Sequence, residues 1–337
     1  MTSARACQDS DLNILVTGGA GYVGAHTCKA LSRSGYRPVV FDNFSTGHKS
    51  FVRWGPLVQG DIRDHAAVRD AIRAYDAKAV LHFAASTSVG ESVTDPQKYY
   101  DNNVGGSLSL LRAMIDAGCR ILVFSSSCAV YGEPQNQPIG ETSPIAPCNP
   151  YGASKSMVER IISDYSRAHL LNSISLRYFN ASGADPEGKL GESHDPETKL
   201  IPRAMMAIQG RITDFAVFGT DYDTPDGTAI RDYIHVLDLA DAHISALRRL
   251  LAGGPSRAFN LGTGRGYSVN EVLTAISAET GVKLRAASTS RRPGDPATLI
   301  ADATLSRTEL DFVPKLSDLK TIIQTAWRWH SRVPAIS

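Results

Sequence analysis

Thr17-Gly18-Gly19-Ala20-Gly21-Tyr22-Val23-Gly24 joins a short apolar run at 13–17 to a stretch with helical apolar spacing at 22–34. Its glycines fit Gly-x-Gly-x-x-Gly from Gly19 and Gly-x-x-Gly-x-x-Gly from Gly18. Glycine permits a tight turn, a close approach of the backbone to a pyrophosphate, and packing of the helix on the strand. The N-terminus of the helix then offers N–H groups and a positive dipole end to phosphates. This segment predicts a strand–turn–helix unit that binds a dinucleotide.

Short apolar runs alternate with helical patterns through the first half of the chain. The alternation predicts βαβ units and a parallel sheet covered by helices on both faces, which is an α/β, doubly wound fold of the Rossmann type. After Asn180 the pattern changes to longer irregular stretches. The predicted strands are residues 13–17, 37–41, 56–59, 79–83, 121–124 and 174–176, and the predicted helices are 22–34, 64–75, 96–117 and 152–170.

Three predicted strands end in residues suited to a dinucleotide. Asp42 follows the second strand, where a carboxylate binds a ribose and repels a 2′-phosphate, which selects NAD over NADP. The alternative is a turn residue before Asn43. Asp61 and Ile62 follow the third strand, where they could hold an adenine, and Asp61 could equally cap a helix. Phe83-Ala84-Ala85-Ser86-Thr87 follows the fourth strand and either leaves room for a cofactor or forms a plain tight turn.

Two further segments carry candidate catalytic side chains. Phe124-Ser125-Ser126-Ser127 ends the fifth strand, where a serine can bond a substrate oxygen or merely satisfy loop backbone. Tyr151-Gly152-Ala153-Ser154-Lys155 sets Tyr151 and Lys155 on one helix face, which for an isolated pair is more often only a solvated face. A phenol has a pKa of about 10, and an ammonium nearby lowers it. Lowering it by roughly three units takes about 4 kcal/mol, so we expect a second positive charge, such as an oxidised nicotinamide.

Composition excludes several classes of function. The formal net charge of +1 and the scattered basic residues argue against a nucleic-acid surface. The five cysteines show no paired spacing, which favours reduced thiols over disulfides and gives no support to zinc or any other metal. Residues 1–12 lack the apolar run of a secretory signal, and we interpret them as a loose tail. No window approaches a transmembrane length, so we expect a cytoplasmic protein.

Taken in order, these segments resemble the extended short-chain dehydrogenase/reductase superfamily. Within it, the chain is most similar to the UDP-galactose 4-epimerase (UDP-glucose 4-epimerase) family, from about residue 13 to residue 332. The matching segments are 17–26, 89–100 (VGESVTDPQKYY) with 101–103, 124–132, 150–155, 177–180 (RYFN), 231–238 (RDYIHVLD), 260–262 and 291–295.

The resemblance implies a mechanism and a second, smaller domain. As a phenolate, Tyr151 would take the proton of a sugar 4-hydroxyl while C4 gives a hydride to NAD. Lys155 would lower the pKa of Tyr151 and bind the nicotinamide ribose, and Ser127 would bond the sugar oxygen. The resulting 4-keto sugar would swing about its pyrophosphate link and take the hydride back on its other face. Residues 1–180 would bind NAD, with part of 232–262 returning to that domain, and 181–337 would form a mixed α/β domain for a UDP-sugar.

The resemblance also implies contacts and an assembly. Arg231 and Arg292 would grip the two phosphates, Asp295 a ribose hydroxyl, Phe218 the uracil and Asn180 a phosphate or sugar oxygen. A homodimer would form on the helices near 96–117 and 152–170. The cofactor-binding residues would be Gly18, Gly21, Tyr22, Val23, Gly24, Asp42, Asn43, Asp61, Ile62, Phe83, Ala84, Ala85, Asn103, Ser125, Tyr151, Lys155 and Tyr178. The substrate-binding residues would be Ser127, Tyr151, Asn180, Lys199, Leu200, Ala216, Phe218, Arg231, Arg292, Asp295 and Leu299.

Three positions depart from the better-known bacterial pattern of this family. Thr87 replaces a lysine that contacts the cofactor, and Lys199 replaces an asparagine before Leu200. Leu299 occupies a place where a tyrosine is often found and where bulk limits the C2 substituent. A smaller residue leaves open a 4-epimerase of UDP-N-acetylglucosamine or of UDP-xylose/arabinose.

Two other interpretations fit the sequence less well. A sugar-nucleotide 4,6-dehydratase needs an acid/base pair after the fifth strand, and the chain offers no carboxylate there. A non-catalytic NAD-binding scaffold on the same fold would lose Ser127, Tyr151 or Lys155, and all three are present.

Overall fold

The computed structural model describes residues 12–292 and 294–332. Its main sheet has seven strands, all parallel, in the order β10-β6-β5-β4-β1-β2-β3. This confirms the predicted α/β, Rossmann-type fold. The strands are β1 Asn13–Thr17, β2 Arg37–Asp42, β3 Leu57–Gln59, β4 Ala79–His82, β5 Ile121–Ser127, β6 Asn172–Tyr178 and, from the second half of the chain, β10 Arg257–Leu261.

Helices cover both faces of this sheet, and alternate strand residues divide between them. Ile14 and Val16 of β1 pack on the face of α1 (Tyr22–Arg33) and α8 (Val236–Leu251), whereas Leu15 packs on the opposite face. The helices on that opposite face are α2 His65–Ala74, α5 Gly106–Ala117 and α6 Pro150–His169. The central strands are therefore runs of buried residues, as a parallel sheet between two helical layers requires, whereas β3 at the sheet edge has no buried residue.

The strand order reverses between β1 and β4, since the chain runs from β1 toward β3 on one side and from β4 toward β6 on the other. Ligands of open α/β sheets bind outside the carboxyl ends of the strands at such a reversal. The glycine turn, Asp42 and the serine end of β5 all lie at this edge.

The second half of the chain forms two smaller sheets and a helical layer. Strand β9 lies between β11 and β13 and also pairs with β7, and β8 pairs with β12. The division of the chain into two domains stays a prediction. The remaining elements are α3 Val89–Thr94, α4 Pro96–Tyr99, β7 Asn180–Ser182, α7 Leu200–Ile208, β8 Ala216–Phe218, β9 Ile230–His235, β11 Gly266–Ser268, α9 Val269–Thr280, β12 Ala287–Thr289, β13 Thr298–Leu299, α10 Thr304–Glu309 and α11 Leu319–His330.

Two predicted elements differ from the structure by more than two residues at an end or by an interruption. The helix predicted over 96–117 is divided by a π-helical segment, Tyr100–Gly105, which turns the Asn103 side chain into the protein. Strand β5 extends three residues beyond its predicted end, because Ser125–Ser127 pair in register with Leu176–Tyr178 of β6. The predicted tail lies outside the described residues, apart from residue 12. Among the described helices, none combines the length and apolar character needed to cross a membrane.

Candidate active site

The glycine turn packs too closely for side chains. Gly18 has φ +71°, and a Cβ on Gly24 would lie 2.2 Å from the Gly18 carbonyl oxygen. Gly21 precedes the first turn of α1, which has no acidic residue and receives no side-chain cap from the described residues. The N–H groups of this turn, including those of Tyr22 and Val23, therefore keep their capacity to bind an anion. The Tyr22 hydroxyl itself donates to the Gly183 carbonyl at 2.6 Å, so its side chain joins the turn to the second half of the chain.

Asp42 is buried at the end of β2 and is bound to the glycine turn. Its Oδ2 accepts the Ala20 N–H at 2.9 Å, and its Oδ1 accepts the Phe44 N–H at 2.8 Å. Burial raises the pKa of this carboxyl, and the two N–H groups oppose the rise. The carboxylate thus fixes β2 against the turn, and each oxygen retains a lone pair for a ribose hydroxyl.

Asp61 is not the cap of α2, because that role belongs to Asp64, whose side chain accepts the Ala67 N–H at 3.1 Å. The Asp61 carboxylate instead accepts a hydrogen bond from the Arg63 guanidinium at 2.7 Å, and this bond holds the pKa of Asp61 well below the usual range. Asn43 donates to the same carboxylate at 3.0 Å, which brings two predicted cofactor residues together.

The Ile62 side chain is buried rather than open at the sheet edge. A Cβ on Gly106 of α5 would lie 2.5 Å from Ile62 Cδ1. Phe83 and Ala84 donate their backbone N–H groups to the Thr17 carbonyl at 2.9 and 3.1 Å. This places the end of β4, and with it Ala85, beside the glycine turn.

Asn103 connects the π-helical segment to two loops of the site. Its Oδ1 accepts the Ser86 N–H at 2.8 Å, and its Nδ2 donates to the Ser86 carbonyl and to Ser154 Oγ, each at 3.0 Å. The roles of Ser86 and Ser154 were not predicted, since serines in turns and helices carry no distinctive pattern. Thr87, one of the positions that depart from the family pattern, is exposed beside this network.

Three candidate catalytic residues converge at the end of β5. Ser127 is the last residue of that strand, and Tyr151 and Lys155 occupy the first two turns of α6. Helix α6 begins sharply because Asn149 caps it, accepting the Gly152 N–H at 2.9 Å, and proline follows at the first helical position. Lys155 Nζ donates to the Ser125 carbonyl at 2.7 Å and lies 6.0 Å from the centre of the Tyr151 ring.

Burial dominates the titration of this cluster. It raises the pKa of Tyr151 well above the ordinary value, with Tyr178 adding to the rise and a hydrogen bond with Ser127 opposing it. Burial also lowers the pKa of Lys155 to about 7, against the charge of Glu159. Lys155 alone therefore does not give Tyr151 the lowered pKa that the sequence led us to expect. A phenolate here depends on the second positive charge, which a nicotinamide cation would supply.

A buried ion pair supports the cluster from behind. Glu159 lies one turn beyond Lys155 on α6. Its carboxylate forms an ion pair with the Arg177 guanidinium of β6 at 2.6 Å and accepts a hydrogen bond from the Ser126 hydroxyl. Tyr178, the last residue of β6, shares a 2.6 Å hydrogen bond between its hydroxyl and Ser125 Oγ. The i, i+4, i+8 spacing of Tyr151, Lys155 and Glu159 is the signal that could have revealed Glu159.

The smaller sheets gather most of the predicted substrate residues. Strand register sets Asn180 of β7 opposite Tyr233 of β9, and Leu299 of β13 opposite Arg231 of β9. Leu299 is buried in an apolar cluster with Cys128, directly after Ser127. Leu299 thus belongs to the same apolar cluster as the residues that directly follow Ser127.

The predicted phosphate-binding arginines differ in their partners. Arg231 is buried and ion-paired with Asp295, and it donates to the Pro296 carbonyl at 2.7 Å. Arg292 lies over the Phe218 ring, with its Cζ 3.9 Å from the ring centre. The structure thus joins four predicted residues into two pairs, and Arg292 is the cation without a carboxylate partner among the described residues.

The other predicted substrate residues lie at nearby element ends. Lys199 precedes α7 and is exposed, with its N–H bonded to Glu197 at 2.9 Å, and Leu200 begins the helix. Ala216 begins β8, the strand that ends at Phe218. The assignment of these residues to a substrate stays a prediction.

Comparison with known proteins agrees with this geometry. The family model described as the NAD dependent epimerase/dehydratase family matches residues 14–262. The chain belongs to this family. Its match extends from β1 through β10 and so includes the whole seven-stranded sheet.

Relatives of this epimerase family cover nearly the whole chain. A UDP-glucose 4-epimerase of Rhizobium leguminosarum bv. trifolii is 53% identical over 95% of this chain and 97% of its own length. A crystal structure of UDP-glucose 4-epimerase from Brucella ovis in complex with NAD has a TM-score of 0.92 and 54% identity, covering 94% of this chain and 97% of its own. One from Bifidobacterium longum in complex with NAD+ and UDP has a TM-score of 0.92 and 36% identity, over 96% and 99% of the two chains.

Proposed function

We propose that this epimerase interconverts UDP-glucose and UDP-galactose by inverting C4 of the hexose through a transient 4-keto sugar. The observation that carries the proposal is the convergence of Ser127, Tyr151 and Lys155 at the carboxyl edge of β5, beside the glycine turn. Relatives named for this reaction, 44–53% identical over nearly the full chain, support the same substrate class.

The residues at the sheet edge suit NAD. The uncapped start of α1 would hold the pyrophosphate through the N–H groups after Gly21, and Asp42 would accept the ribose hydroxyls. Lys155 would bind the nicotinamide ribose from its position below Ser125. When bound, NAD supplies a hydride acceptor that gives the hydride back, so the overall reaction has no net redox change.

The protein's own groups would move the hydroxyl proton. Tyr151 would take the proton of the sugar 4-hydroxyl and return it to the 4-oxygen after inversion. The Lys155 ammonium and the cofactor's positive charge would together stabilise the phenolate, offsetting the effect of burial. Ser127, which ends β5 and opposes the rise in the pKa of Tyr151, would donate to the same sugar oxygen. Since one group serves both faces, the sugar must turn while its nucleotide stays fixed.

The second half of the chain would hold that nucleotide. Arg292 and Arg231 are suited to the two phosphates, and Asp295 would exchange its present ion pair with Arg231 for a ribose hydroxyl. Arg292 covers one face of the Phe218 ring, and Phe218 would pack beside the uracil. Fixing the UDP at a distance from Tyr151 leaves the hexose free to turn about the pyrophosphate.

A panel of UDP-sugars tests this proposal. The purified protein should interconvert UDP-glucose and UDP-galactose with NAD and without added reductant. Preference for UDP-N-acetylglucosamine or UDP-xylose/arabinose would move the assignment to those substrates, where Leu299 leaves more room than tyrosine. No epimerisation of any UDP-sugar would refute the function.

We also propose that the protein forms a homodimer. Tyr100, Leu108 and Met157 expose between 37% and 45% of their surfaces on the π-helical segment, α5 and α6. Exposed apolar residues on neighbouring helices are typical of a self-association surface. Light scattering after size exclusion should give twice the mass of one chain, and the double variant Leu108→Glu, Met157→Glu should give the mass of one chain.

The four described cysteines are all free, which supports a reducing compartment and hence the cytoplasm.

A further inference from the structure

The segment before α7 is held rigidly although it has no regular structure. The Trp329 indole donates to the Glu192 carbonyl at 3.0 Å, and the His48 ring bonds the Ser193 carbonyl at 2.9 Å. Gly191 lies against the Trp329 ring, where a Cβ would come within 2.2 Å of the ring carbon Cγ. These contacts fix the backbone on both sides, so the side chains that follow are set in place before any ligand arrives.

Three of those side chains point at one another. His194 Nδ1 lies 3.5 Å from a Glu192 carboxylate oxygen and 3.6 Å from a Glu197 carboxylate oxygen. One donor atom from each of the three residues lies within 4.8 Å of the others. Both glutamates are more than nine-tenths buried, with residue exposures of 6% and 7%.

The distances are long for hydrogen bonds and suit ligands of one ion. An N–H···O hydrogen bond has its heavy atoms at about 2.7–3.2 Å. Nitrogen and oxygen ligands lie about 2.0–2.2 Å from Zn²⁺, which in a tetrahedral site separates neighbouring ligand atoms by roughly 3.4 Å. The spacing of His194 from each carboxylate is close to that separation.

The Glu192 carboxylate has no hydrogen-bond donor among the described residues. Glu197 differs, since one of its oxygens accepts the N–H groups of Thr198 and Lys199 at 2.8 and 2.9 Å and leaves the other facing His194. Two buried carboxylates that share one imidazole favour an added positive charge, because an unpaired buried charge is costly.

We propose that Glu192, His194 and Glu197 form a binding site for a divalent transition-metal ion of the Zn²⁺ class. One imidazole and two carboxylates form a donor set that such ions accept, with water completing the coordination. The ion would have a structural role. By holding Glu197, it would fix the residue that binds the backbone at Lys199, at the start of α7. The proposal does not depend on the proposed reaction.

Metal titration of the untagged full-length protein tests the site. Co²⁺ should bind with about one equivalent and give the visible absorption of a low-coordinate N/O site, and Zn²⁺ should displace it. Glu192→Gln and His194→Ala should each weaken Zn²⁺ binding by tenfold or more. His65→Ala is the matched control, because His65 pairs with Asp116 at 2.8 Å on the surface and should leave binding unchanged.

Circular dichroism establishes that each variant is folded, and the conservative Glu192→Gln carries the test if His194→Ala does not fold. Absence of stoichiometric binding to the wild-type protein would overturn the proposal. Equal binding by Glu192→Gln and the wild type would overturn it too. Either result would leave the three residues as a proton-sharing cluster.

Discussion

The candidate catalytic residues at the end of β5 and the predicted substrate-binding residues of the second half of the chain hold their charged groups in opposite ways. Lys155 is held by a regular helix and, among the described residues, its Nζ bonds only the Ser125 carbonyl, at 2.7 Å, so its amino group remains available to Tyr151. Arg231 lies on strand β9 and is already ion-paired with Asp295. We therefore propose that the candidate catalytic groups are positioned in advance, whereas Arg231 and Asp295 would exchange partners when a nucleotide binds.

The two regions also differ in the energetic cost of burying their charged groups. Burial at the catalytic end works against both charged groups, since it raises the pKa of Tyr151 and lowers that of Lys155. The Glu159–Arg177 ion pair helps to hold these two groups in place, because Glu159 lies on the same helix and ties it to β6. The substrate side is more exposed, with Asp295 one-third exposed, so its ion pairs are more strongly screened.

The largest effect is expected at the proton-transfer group itself. Tyr151→Phe keeps the ring and removes the hydroxyl, so turnover should fall by about 10³-fold, within the usual range for a lost acid/base group. NAD binding, followed by fluorescence or calorimetry, should be retained. Unchanged turnover in this variant would remove Tyr151 from the proposed role.

The buried Glu159–Arg177 ion pair should contribute more to the free energy of unfolding than an exposed ion pair does. Glu159→Gln leaves Arg177 without its carboxylate and should lower the free energy of unfolding by about 3 kcal/mol. Asp164→Asn, which removes the surface partner of Arg160 and Arg167 on the same helix, is the control and should scarcely shift the unfolding midpoint. Equal midpoints for the two variants in urea denaturation would contradict the supporting role of Glu159.

Lys155 should make stability depend on pH in a defined direction. Its folded-state pKa is lowered to about 7, so above that pH the unfolded chain binds a proton that the folded protein does not. The contribution of this group to stability therefore rises from about pH 7 to 9, by roughly 1.4 kcal/mol per pH unit. Lys155→Met should abolish that rise in the protein measured without cofactor. Parallel pH profiles for wild type and variant would show that the Lys155 pKa is not lowered.

A smaller effect is expected from the substrate-side cation. Arg292→Met should raise the KM for a UDP-sugar by about tenfold with little change in kcat, because it removes a charge-assisted bond to a phosphate. Arg291→Met is the matched control, since Arg291 is exposed and paired with Asp221. If both variants raise KM equally, Arg292 has no special role in binding phosphate.

Sequence predicted the regular parts of the molecule well, because local patterns determine them. Strand β1 was predicted with its observed bounds, and the start of α6 within two residues. The glycine turn and Asp42 also adjoin one another as the strand order implied. The strand from the second half, β10, was expected only as part of a returning segment, since no local pattern shows which sheet a strand joins.

Contacts between distant segments could not be predicted in this way. The Asn103 bonds to Ser86 and Ser154 depend on a π-helical segment that the helical pattern did not reveal. The pairing of Arg231 with Asp295 joins residues 64 positions apart. The sequence left Asp61 as a possible helix cap, and only the geometry assigns the cap of α2 to Asp64.

In the proposed mechanism, Tyr151 handles the proton of the 4-hydroxyl and never the hydrogen on C4. Epimerisation of UDP-galactose labelled with deuterium at C4, followed by NMR of the product, tests this most directly. The product UDP-glucose should keep the label at C4 and gain no hydrogen there from water. Loss of the label to the solvent would contradict it, because C4 would then have been inverted by removal of a proton.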